Sequence, residues 1–232
     1  MSIGYRNNNA DERQTGFCAY CHGEYGTSEH IPSKVFLDKP YPDDLPVIFT
    51  CKDCNGGFSS DEEYVACLIE CAKCNTCDIN KLERESIKKT LSHSPALLAR
   101  ISESSIIDDG KLMFKAEDER VQNVLIKLAR GHLLYEFNEQ IFDEEPIINW
   151  CDFTQVPDEE RLRFESLMEL TKMPEAGCRA CSNVGIFNEQ ILCLPWLEVQ
   201  KSRYRYLVNY NGGYLVRIVI NEYLACEVFY KD

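Results

Sequence analysis

The chain has 232 residues, 44% of them hydrophobic and 27% charged, the profile of a folded globular protein, which excludes a disordered or fibrous one. Its 25 basic and 38 acidic side chains leave a net charge of −13, which excludes general adhesion to nucleic acid. No apolar run reaches the roughly 18 residues of a membrane span, so no membrane is expected as a partner.

Residues 1 to about 14 are polar and offer nothing to bury. The 13 cysteines are odd in number, and the opening residues contain no apolar stretch of the signal-peptide kind. The expectation is a reducing, cytoplasmic setting, where clustered cysteines read as metal ligands before disulfides. From Phe17 to about Tyr64 the order is cysteine pair, short strand, a loop rich in proline and aspartate, a strand near Val47–Phe49, cysteine pair and helix. Cys18-x-x-Cys21 and Cys51-x-x-Cys54 have the spacing at which two knuckles share one tetrahedral Zn2+. Four thiolates leave no open position, so that zinc would be structural.

Helices are expected over 60–74, 80–92, 95–103, 117–137 and 157–173, from caps and apolar spacing. Asp109-Gly110 reads as a turn between apolar pairs, and β-branched and aromatic residues over 203–230 predict an antiparallel meander broken at Asn211-Gly212-Gly213. The fold class is therefore α+β, in three segments: a metal-bound finger at 15–66, a mostly helical body at 67–183 and a C-terminal β-sheet at 184–232.

The other cysteines carry weaker signals. Cys67, Cys71 and Cys74 have the spacing of radical enzymes that hold a 4Fe-4S cluster. They run along a predicted helix, however, where core packing accounts for them. Cys178-x-x-Cys181 is a candidate second metal site, to be completed by Cys151 or by Cys74 with Cys77.

Inside the finger stands Glu29-His30-Ile31-Pro32, and Asn55 follows Cys54 directly. Glu-His-Ile-Pro followed by Cys-x-x-Cys-Asn resembles the HNH, or ββα-metal, endonucleases, and within them the zinc-knuckle branch. The resemblance covers about residues 17–64. It implies a ββα-metal finger, with His30 as the general base that deprotonates water and Glu29 and Asn55 as catalytic residues holding a Mg2+ or Mn2+ ion. Ser59, four residues after Asn55, is a weaker ligand of the same ion. Glu29 and His30, as strand neighbours, would point to opposite faces. The position of the family's middle asparagine falls near Pro46, which leaves its bracing role unfilled.

The resemblance implies hydrolysis of DNA phosphodiesters, with RNA as the alternative polymer. By analogy with Septu-type and retron-associated modules it also implies an effector subunit of antiviral defence that works beside a protein partner such as an ATPase. An acidic chain could borrow the basic surface of such a partner. Lys201, Arg203 and Arg205, interleaved with Tyr204 and Tyr206, are candidate phosphate contacts, as are Lys34, Lys52, Lys127, Arg130 and His22. The alternative is a zinc-scaffolded interaction protein without activity.

Overall fold

Thr27–His30 (β1) and the largely β-branched Val47–Thr50 (β2) form the first hairpin of the computed structural model, which describes residues 16–142, 144–187 and 191–232. The polar segment at 1–14 lies outside the described residues. The strands are antiparallel, with Thr27 opposite Thr50 and His30 opposite Val47, and the helix Lys52–Gly57 (α1) follows at once. Backbone N–H groups brace the hairpin: Ala19 donates to the Phe49 carbonyl at 2.9 Å, Gly26 to Thr50 at 3.1 Å and Ile31 to Pro46 at 3.0 Å. The Pro46 carbonyl thus supplies a main-chain brace at the position that lacks the asparagine.

Gly56 and Gly57 are poor helix formers, and the chain breaks at Phe58 before Ser59–Lys73 (α2) begins. By internal contacts the chain divides into one unit of residues 1–57 with 125–232 and another of residues 58–124. This division differs from the sequence segments 15–66, 67–183 and 184–232, because the finger groups with the C-terminal sheet.

The unit 58–124 holds α2, Glu85–His93 (α3), Pro95–Glu103 (α4) and the hairpin Ser105–Asp108 (β3) with Lys111–Phe114 (β4). Asp109 and Gly110 both have positive φ, 46° and 77°, as a two-residue type I′ turn requires. Glu70 on α2 is buried, and its carboxylate accepts the N–H groups of Glu83 and Arg84 at 2.9 and 2.7 Å, which fixes the approach to α3. Cys67 and Cys71 lie buried on α2, as core packing predicts.

Asp118–Phe137 (α5) continues from this unit into the other. After it come Ile147–Asp152 (β5), Asp158–Glu165 (α6), Arg179–Asn183 (α7), Gly185–Phe187 (β6) and Ile191–Cys193 (β7). Leu197–Gln200 (β8), Tyr204–Tyr210 (β9), Gly213–Ile220 (β10) and Leu224–Lys231 (β11) form the expected meander. The sheet order is β5-β11-β10-β9-β8, antiparallel throughout, with β5 adding to the free edge of β11.

The helix expected over 157–173 stops at Glu165. Its last carbonyls are taken by tertiary donors: Trp196 Nε1–H donates to Glu165 at 2.9 Å, and the Arg217 guanidinium to Phe164 at 2.7 Å and Ser166 at 3.2 Å. A continuing helix would need those acceptors for its own N–H groups. Leu170 and Thr171 instead donate to the Leu192 and Tyr210 carbonyls, at 2.8 and 3.0 Å.

The sheet is covered on both faces. Even-numbered residues of β9 meet α5, where the His132 ring stacks on Tyr206 at 3.7 Å and bonds the Tyr204 hydroxyl at 2.8 Å. Tyr206 in turn donates to the buried Glu136 carboxylate at 2.7 Å. On the other face, Phe153, Val219 and Ala225 pack with Val156, Phe164 and Trp196.

Burial holds the His132 imidazole down at about 3. The unfolded chain therefore binds a proton below about pH 6.5 that the folded chain refuses, and stability falls with pH by up to about 1.4 kcal/mol per unit. Urea unfolding of wild type and His132→Phe between pH 7 and 4.5 should show a steeper loss in wild type; equal slopes would remove His132 from the acid sensitivity.

Candidate functional site

The cysteine pairs sit at one end of the β1–β2 hairpin. Cys18 opens a tight knuckle in which its N–H donates to the Gly23 carbonyl at 2.8 Å, and His22 turns through φ 58°. Cys51 and Cys54 flank the start of α1, and the Cys54 N–H donates to Cys51 Sγ at 3.3 Å. The sulfurs of Cys18, Cys21, Cys51 and Cys54 all lie within 4.8 Å of one another, with Cys21 and Cys51 at 3.8 Å. Tetrahedral Zn–S bonds of about 2.3 Å put sulfurs about 3.8 Å apart, so the four thiols fit one ion such as zinc.

Burial pushes the Cys18 thiol up, but the backbone N–H groups of Cys51, Tyr20 and Cys21 outweigh it and bring the group down to about 7. Burial and the neighbouring thiols push Cys54 up. Such a cluster resists full ionisation until a cation enters it. Among the described residues no other set of three His, Cys, Asp or Glu side chains is gathered closely enough to share an ion. Cys178 and Cys181 are near each other, with the Cys181 N–H donating to Cys178 Sγ at 3.4 Å, but they gather no third such ligand. His22 lies outside the thiol cluster; its ring stacks on Phe17 at 4.3 Å.

At the far end of β1 the two predicted catalytic side chains part, as strand alternation requires. Glu29 turns into the protein and is 8% exposed, while His30 is partly exposed on the other face. His30 Nδ1 is buried without a hydrogen-bond partner. Burial first, and then the nearby Lys34 ammonium, hold the imidazole below its ordinary value, against the backbone of Pro46 and Leu45. His30 is thus neutral at pH 7, the form a general base needs.

Glu29 meets a different partner from the one the resemblance implies. Lys127 on α5 has no solvent exposure, and its Nζ donates to Glu29 Oε1 and, at 2.8 Å, to Ser33 Oγ. Ser33 donates in turn to the same carboxylate oxygen at 3.3 Å. Burial draws the Lys127 amine below its ordinary value, and the carboxylate against it is the counter-charge that keeps a buried ammonium protonated. Asn55 is engaged elsewhere, its Nδ2 lying 3.4 Å from Thr27 Oγ1 and 3.5 Å from the Ser28 carbonyl. Ser59 belongs to α2, in the other unit, rather than to the helix of Asn55. Glu29 thus meets the Lys127 ammonium through Oε1, while its Oε2 is buried without a hydrogen-bond partner.

Lys127 is no phosphate contact, because it is buried. Arg203 and Arg205 are also committed: Arg203 pairs with Asp38 at 2.6 Å, and Arg205 with Glu165 at 2.7 Å and Glu222 at 2.8 Å. Lys34, Lys52 and Lys201 remain exposed.

The role of Lys127 has a trace in the sequence. It lies three residues after Val124 and four before Gly131 along α5, so a lysine and a glycine share a row with apolar residues. A Cβ on Gly131 would come within 2.6 Å of Ile31 Cδ1, which shows how closely the segment after His30 packs on this helix. Comparison of the chain with models of protein families, with curated proteins and with solved structures found no match.

The thiol cluster leads to a direct expectation. Purified protein should carry about one zinc per chain by elemental analysis, and Cys51→Ser should lose most of it. Chelation should lower the melting temperature by roughly 5–15 °C, restored by zinc; an unchanged melting curve after complete removal would make the cluster dispensable.

Proposed function

We propose that the chain is an endonuclease of the HNH type that hydrolyses phosphodiester bonds of DNA, with His30 as general base. The observation that carries this reading is the placement of His30. It ends the first strand of a ββα unit closed by four thiols, faces away from Glu29, stays partly exposed and is held neutral. A neutral imidazole there takes a proton from water as the oxygen attacks phosphorus, and the departing oxygen is protonated from solvent. Lys34 and Lys52, both exposed in the finger, are candidate phosphate contacts.

The charge of −13 supports a nuclease that acts beside a basic protein partner, such as the ATPase subunit that accompanies comparable effectors in antiviral defence. A second reading, a zinc-scaffolded interaction protein without activity, is favoured by the Glu29–Lys127 pair, which gives one expected ion ligand an ammonium as its partner.

Nicking of supercoiled plasmid at low salt, in Mg2+, Mn2+ or EDTA, separates the two. Wild type should nick, and His30→Ala should reduce the rate by about 100-fold or more at equal zinc content and melting temperature. Equal nicking by both proteins would remove His30 from the reaction, and no nicking by wild type would favour the second reading.

The pH profile is a further check. The acid limb should have its midpoint below about 6.5, because the folded environment favours neutral His30. Lys34→Gln removes a positive neighbour and should move that midpoint up; a downward move would contradict the assignment.

A further inference from the structure

We infer that the Lys127 ammonium is the resident cation of Glu29, standing where the nuclease reading would place a divalent ion, so that among the described residues the four-thiol cluster is the metal site. The inference rests on that reading only for the position of the ion. Three observations carry it.

First, Glu29 and Lys127 are both buried, at 8% and 0% exposure, and their charged atoms are in direct contact. A divalent ion on Glu29 would have to expel an ammonium that has no route to water, or sit beside it and be repelled. Second, Ser33 Oγ bridges the pair, accepting from Lys127 at 2.8 Å and donating to Glu29 at 3.3 Å, so the hydroxyl that reaches the carboxylate also faces the ammonium. Third, among the described residues the one group of three or more His, Cys, Asp or Glu side chains close enough to share an ion is the four-cysteine cluster, which does not include Glu29.

Lys127 is also a positioning residue by its connections. It grips Glu29 before His30 and Ser33 after it, and so holds both ends of the segment that carries the imidazole.

The test uses the full, zinc-loaded chain and reads metal and stability rather than cleavage, so it is decided separately from the nuclease reading. Mn2+ is titrated into wild type and into the paired variant Lys127→Met/Glu29→Gln, with free Mn2+ followed by electron paramagnetic resonance. Equal curves for the two proteins are expected. One Mn2+ per chain bound by wild type and lost in the paired variant would overturn the inference.

Thermal melting supplies the second arm. Lys127→Met should lower the melting temperature by roughly 10 °C or fail to fold, because it strands a buried carboxylate. Adding Glu29→Gln should recover at least half of the loss. Lys127→Met melting at the wild-type temperature, or no recovery in the paired variant, would show that the two charges are not each other's partners.

Discussion

An ammonium with no access to solvent must have an anion beside it, and in this protein that requirement joins the finger to the rest of its unit. Lys127 points from α5 at Glu29 on β1, and Ser33 closes the triangle. Taking two charges out of water costs several kcal/mol each, and removing only one partner costs about 3–5 kcal/mol. The pair is therefore a poor source of net stability and a strong constraint on arrangement. Packing agrees with it one turn further along α5, where Gly131 lets the Ile31 side chain lie against the helix backbone. Asp38 extends the join, pairing with Arg203 at 2.6 Å, while the Gln200 amide on β8 bonds its main chain at 2.8 and 2.9 Å.

Local chemistry makes much of the architecture legible in the sequence. Cysteine spacing predicts the knuckles, and the four sulfurs do converge. The Asp109-Gly110 pair predicts a two-residue hairpin because few other residues accept positive φ at both positions. The meander over 203–230 follows from β-branched and aromatic runs. The end of α6 was not readable. The donors that take its last carbonyls, Trp196 and Arg217, arrive from about 30 residues or more downstream, and no local pattern announces them.

The site was legible in its types of residue and not in their pairings. Alternation along β1 separates Glu29 from His30 whatever lies around them, so the partly exposed imidazole was foreseeable. The fate of the carboxylate depends on a lysine 98 positions away, which on composition alone reads as one more surface cation. The same holds for the basic residues near the sheet. Arg203 and Arg205 look available to a phosphate until Asp38, Glu165 and Glu222 are brought to them by the fold. In a chain with this excess of acid, a guanidinium near the interior finds a carboxylate more readily than a ligand. Free positive charge is then left to lysines at the periphery.

The two ends of the hairpin are fixed by two kinds of cation chemistry. At the Thr27–Thr50 end, four soft thiols fit an ion such as zinc; at the His30–Val47 end, a carboxylate takes an ammonium. The second device determines register more sharply than apolar burial could. Sliding β1 by one residue would turn Glu29 outward and present Ser28 or His30 to Lys127. Neither could replace the lost charge, because a hydroxyl or a neutral imidazole can accept a hydrogen bond from the ammonium but carries no negative charge. The ion pair thus decides which face of β1 carries His30. That face is the one open to solvent, so the outward placement of the imidazole is enforced by a charge buried behind it.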